Sequence, residues 1–128
     1  MLRAEDLDPI KRWRSISDWY AEFAAAPNWN FLSPMVGLAA WVTEQSFAVP
    51  LFPNTSHEWL CVSLHTGYEP ERPFFSCGVR ADGQFQFELW AAVGHSRGRR
   101  LVPFEESRQV FLEYVALLQG MNGLLRPD

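Results

Sequence analysis

The pentapeptide Gly94-His95-Ser96-Arg97-Gly98 fits the pattern G-x-S-x-G, the nucleophile elbow that exposes a serine on a sharp strand-to-helix turn. Acyl transfer at such a serine requires a general base and donors for an oxyanion. The surrounding sequence opposes that chemistry. Gly98-Arg99-Arg100-Leu101-Val102-Pro103 does not read as a helix. His57, His65 and His95 all precede Ser96, whereas the hydrolase order puts the histidine last. No glycine-rich oxyanion segment lies upstream, and the preceding strand alternates like a hairpin strand rather than a buried parallel one. The segment is read as a Gly/Ser-rich turn leaving a strand.

Three other constellations have the residue types for chemistry. Cys61, His65, Cys77 and His57 are zinc-type ligands, which must converge on one point. Cys61 and His65 are four residues apart, roughly 13 Å along a strand, and neither a CxxC nor an HxxxH pair occurs. No metal and no cofactor is expected. Ser63 and His65 share one strand face, and Glu88 would complete a hydrolytic triad on paper, but nothing in the sequence aligns the third member. Arg97, Arg99 and Arg100, with His95, form a basic segment suited to a phosphate or an acidic partner; a solvated loop is the plainer reading.

Composition narrows the function classes. The chain has 128 residues and a net charge of −4, the wrong balance for a nucleic-acid binder, which carries a basic patch over a basic domain. Two cysteines are too few for a disulfide framework. Met1–Asp8 is acidic and lacks the apolar centre of a signal peptide, and no run of about 20 apolar residues exists to span a membrane. The expected setting is the cytosol, with both thiols reduced. Six Trp and ten Phe exceed what a core of this size needs, which sends some rings to a groove or an interface.

The expected fold class is a single α+β domain, residues 1–128, ordered α-α-β-β-β-β-α. Asp8-Pro9 caps an amphipathic helix over 9–25, with Trp13, Ile16, Tyr20 and Phe23 on one side. Ser33-Pro34 opens a short apolar segment, 34–44, read as a buried helix, although periodicity alone leaves a strand open. Phe47, Val49 and Leu51 suggest a first strand, which Pro50 assigns to a sheet edge, and Asn54-Thr55-Ser56 is turn chemistry. Further strands are expected over 58–65, 74–80 and 84–93. Pro103 introduces a C-terminal helix over 104–119, with Gly120 as its cap.

The hairpin between the last two strands fixes the faces of the sheet. A three-residue loop, Ala81-Asp82-Gly83, with Gly83 left-handed, pairs Val79 with Phe85, Cys77 with Phe87 and Phe75 with Leu89, an all-apolar face that should receive the C-terminal helix. A two-residue loop would oppose Val79 to Gln86 and Cys77 to Glu88, so the pattern selects the longer turn. The opposite face then carries Trp59, Phe74 and Trp90 beside His65, Arg80, Gln86 and Glu88. Either an N-terminal helix covers this face or it is an aromatic, polar-rimmed binding patch. The functional expectation is a non-enzymatic protein-binding module with Trp59, His65, Phe74, Arg80, Glu88 and Trp90 at its contact face, and with a homodimer as one form of partner. The alternative is a small-ligand or hydrolytic pocket between sheet and helices.

Overall fold

A computed structural model describes residues 8–45, 51–65 and 71–125, without the side chains of 122–125. Helix α1 spans Pro9–Ala24. Its Asp8 cap accepts hydrogen bonds from the N–H groups of Ile10 (3.0 Å) and Lys11 (3.4 Å), satisfying donors that the first turn leaves open. A 3-10 segment, Pro27–Leu32, leads into helix α2, Ser33–Thr43. The apolar segment is thus a helix. Five strands follow: β1 (Phe52–Ser56), β2 (Trp59–Ser63), β3 (Phe74–Val79), β4 (Phe85–Ala92) and β5 (His95–Val102). A single 3-10 turn, Phe104–Glu106, precedes helix α3, Ser107–Leu125.

The strands form one antiparallel meander in the order β1-β2-β3-β4-β5. The fold class is α+β as expected, with five strands in place of about four. The β3–β4 hairpin has the predicted register, Val79 opposite Phe85, Cys77 opposite Phe87 and Phe75 opposite Leu89. Gly83 adopts φ 89°, the left-handed conformation its turn requires.

Three expectations change. The first strand begins at Phe52, so Asn54-Thr55-Ser56 is strand rather than turn; the reversal falls one step later, at His57-Glu58, with His57 at φ 56°. Pro53 is tolerated because β1 is an edge. Of the predicted first strand, Phe47, Val49 and Pro50 lie outside the described residues, and Leu51 precedes β1. Residues 95–102, read as turn and loop, form β5. Helix α3 does not stop at Gly120 but continues to Leu125; a Cβ at Gly120 would meet open space, so this glycine acts as an exposed interior position rather than a cap.

All three helices pack on one face of the sheet. There Leu60, Val62, Phe75, Cys77, Phe85 and Phe87 join Tyr20, Met35, Leu38 and Phe111 in a continuous buried core. Phe75 meets Phe111 edge-on at 5.2 Å and Tyr114 at 5.7 Å, and Phe87 lies 5.3 Å from Tyr114, which seats α3 on the face predicted for it. Helix α1 is tied to the β1 side through side-chain donors. Trp13 Nε1–H donates to the Leu51 carbonyl (2.9 Å), Arg12 Nη2 to the Pro53 carbonyl (2.9 Å) and the Tyr20 hydroxyl to the Glu58 carbonyl (2.8 Å).

Candidate functional site

With the helices on one side, alternation turns every second strand residue to the other. From β1 these are Asn54 and Ser56, from β2 Trp59, Cys61 and Ser63, from β3 Phe74, Ser76 and Gly78, and from β4 Gln86, Glu88 and Trp90. A hollow of about 420 Å³ lies on this open face. It runs from Asn54, Ser56 and Trp59 past Cys61, Ser63 and His65 to Phe74, Ser76 and Trp90, and the Val93-Gly94 turn also lines it. Among the described residues none from a helix lines it. The alternative in which an N-terminal helix covers this face is therefore set aside: α1 and α2 lie with the core on the opposite side.

Two aromatic walls define the hollow. Phe74 and Trp90, cross-strand partners, stack almost parallel, 8° apart with centroids at 5.9 Å. Trp90 Nε1–H donates to Ser76 Oγ (3.0 Å), which fixes the indole and leaves the Ser76 hydroxyl proton available to an occupant. The other wall is Trp59, whose ring lies against Gly78: a Cβ on Gly78 would come within 2.6 Å of Trp59 Cζ3 and closer still to Cε3. Glycine here is what allows the indole to lie down on the sheet.

Of the six predicted contact residues, Trp59, His65, Phe74 and Trp90 line the hollow, whereas Arg80 and Glu88 do not. Arg80 is exposed beside the β3–β4 turn, with Nε 3.7 Å from an Asp82 carboxylate oxygen. Glu88 shares the face but sits between Ser76 on β3 and Arg99 on β5. The prediction omitted Asn54, Thr55, Ser56, Cys61, Ser63, Ser76, Val93 and Gly94 from the contact set. Recognising β1 as a strand would have brought in Asn54 and Ser56, which pair with Cys61 and Trp59.

Among the described residues the lining contains no Asp, Glu, Lys or Arg. Burial pushes the Cys61 thiol up to about 11, so it is protonated and a poor nucleophile at neutral pH. Cys77 is fully buried on the core face, its thiol pushed up further by the same cause. The two cysteines are free and face opposite sides of adjacent strands, since Leu60 rather than Cys61 pairs with Cys77. Among the described residues no group of three or more His, Cys, Asp or Glu is placed to hold a metal ion.

The hydrolytic sketches do not assemble. Ser63 Oγ donates to the carbonyl oxygen of His65 (2.9 Å), not to its imidazole, and Glu88 stands two strands away on β4. In the G-x-S-x-G segment, Gly94 (φ 82°) closes the two-residue turn between Ala92 and His95, and Ser96 follows on β5, where its Oγ accepts from the Gly98 N–H (3.1 Å). This is a strand-to-strand hairpin and not a strand-to-helix elbow.

Comparison with protein-family models, with curated proteins and with solved structures returns no match for this chain. Among the described residues no helix is long and apolar enough to cross a membrane.

Proposed function

We propose that this protein is a non-catalytic, cytosolic protein-binding module that takes an apolar or aromatic side chain of its partner into the hollow between Trp59 and the Phe74–Trp90 pair. The observation that carries this reading is an aromatic-walled concavity, uncharged among the described residues, on the sheet face that the helices leave open. Such a cavity gains affinity by desolvating apolar surface, and buried anchors of this kind dominate protein interfaces. The Ser76 hydroxyl and the Asn54–Ser56 rim supply hydrogen bonds to a partner's backbone without the cost of burying a charge. The engagement of Ser63 with a carbonyl oxygen, and a Cys61 thiol that stays protonated, favour binding over turnover.

The test is affinity capture with the full chain and with Trp59→Ala and Trp90→Ala, alongside urea unfolding. Each substitution should weaken retention of a stoichiometric partner by about 30-fold, the effect of losing a hot spot of about 2 kcal/mol, while the unfolding transition stays cooperative. Unchanged retention by both folded variants would remove the hollow from the reading. The volume also lies within the ~300–1,000 Å³ of small-molecule sites, which supports a second reading, a neutral aromatic ligand. Thermal stabilisation by small uncharged aromatic compounds, lost in Trp59→Ala, would select it.

A further inference from the structure

The two edges of the sheet are built differently. At β1 the edge is closed. Pro53 has no N–H to offer, its carbonyl accepts from Arg12, and the carbonyl of Leu51 accepts from Trp13. At the other edge, β5 has one strand neighbour among the described residues, β4. Seven of its eight residues are exposed. An antiparallel edge strand directs the backbone groups of alternate residues outward, and here that edge is basic. Arg100 turns to the helix side and pairs with Glu113 on α3 (2.7 Å). Arg97 and Arg99 are exposed and form no ion pair among the described residues, although Glu88 stands opposite Arg99 in the ladder.

We infer that β5 is a docking edge for an extended acidic segment of a partner protein, added as a further strand. The charge decides the occupant. Two copies of this chain pairing through β5 would bring two arginine rows side by side, and like charges across paired strands disfavour self-pairing. The same row attracts a strand bearing Asp or Glu, and two arginine forks can each take a carboxylate. The register is regular from Arg99 to Val102, opposite Glu88 to Phe85, and shifts beyond Glu88 where the strand bulges. Ordered pairing is therefore concentrated on residues 99–102, with Arg97 in the irregular stretch between Ser96 and Arg99. A nucleic acid would satisfy the arginines but not the strand edge, and the net charge of −4 works against it.

The experiment is amide-resolved NMR titration of the full chain, and of Trp59→Ala, with a blocked peptide alternating glutamate and valine; binding at β5 survives the loss of Trp59, whereas entry of a valine into the hollow does not. Expected are shift changes confined to β5 and its turn, and binding that weakens as salt rises. Affinity should fall at least about tenfold when Arg97 and Arg99 are both changed to Glu, and similarly for one of two peptides N-methylated at the valines or at the glutamates, because strand addition uses the N–H groups of alternate residues. Lysine in place of glutamate should abolish binding. Four results would overturn the inference: no perturbation of β5 amides, undiminished affinity for both N-methylated peptides, tighter binding of an oligonucleotide of matched charge, or dimerisation of the chain through β5. The peptide arm needs no protein variant, so a misfolded double substitution does not blunt the test.

Discussion

The seat of Trp59 on Gly78 makes a prediction whose sign reverses with context. Gly78 is buried and lies outside the left-handed region, so alanine meets no backbone strain there. Its methyl group, however, would fall within 2.6 Å of the indole Cζ3, against about 3.5–4.0 Å for relaxed carbon contacts. The ring must retreat by more than about 1 Å, off the sheet and into the hollow. Overpacking of this kind costs about 1–3 kcal/mol. Replacing a strand glycine by alanine returns about 0.5–1 kcal/mol through the unfolded chain. Gly78→Ala should therefore destabilise the wild-type chain, by up to about 2.5 kcal/mol, yet stabilise Trp59→Ala by about 0.5–1 kcal/mol, because the obstacle is gone. Urea unfolding of the four proteins of this cycle, followed by far-ultraviolet circular dichroism, measures both effects. If Gly78→Ala acts with the same sign in both backgrounds, the indole does not rest on Gly78 and the hollow loses its first wall. If the sign reverses, the single variant also becomes a probe of function, since the displaced ring occupies space that a ligand would take.

Three further outcomes are expected. Trp13→Phe should lose about 1–3 kcal/mol in urea unfolding, because it leaves the Leu51 carbonyl without the indole donor at 2.9 Å. The Cys61 thiol ionises near 9 when unfolded and near 11 in the fold, so the unfolded chain binds fewer protons across that window. The contribution of Cys61 to stability should thus be constant below about pH 9 and be lost as pH rises towards 11, and Cys61→Ala should show a shallower fall in unfolding free energy over that range; Tyr20 and Cys77, also raised by burial, contribute in the same direction. Ser96→Ala should leave any esterase background unchanged and cost less than about 1 kcal/mol, the loss of its contact with the Gly98 N–H; disappearance of a measurable turnover would restore the nucleophile reading.

What was legible in the sequence follows from burial. The β3–β4 hairpin could be read to the residue because one face is wholly buried, so a slip of one position would put Gln86 and Glu88 into the core. The same register placed Phe74 and Trp90 together on the open face. The edge strands carried no such signal. Strand β5 has one buried residue, Val102, and β1 after Phe52 is Pro, Asn, Thr and Ser, which are turn formers when the neighbouring strand is not in view. Glu88 was assigned to the right face but not to the hollow, since alternation fixes a side of the sheet and says nothing of where along a strand a concavity forms; Arg80 lies beyond the last paired residue of β3. Helix α2 was ambiguous because it is apolar nearly all round. Packed against α1 and the sheet, it needs no polar face.

The closure of β1 by α1 has a consequence for the order in which the chain folds. Each strand pairs with its neighbour in sequence, so the meander can grow outward from the Ala81-Asp82-Gly83 turn with short loop closures at every step. The bonds from Arg12, Trp13 and Tyr20 to the β1 side span 41, 38 and 38 residues and close longer loops than the hairpins of the meander do. The first helix of the chain is therefore expected to lock late, and until it does the growing sheet has two open edges, the time at which association with other chains competes most strongly with folding.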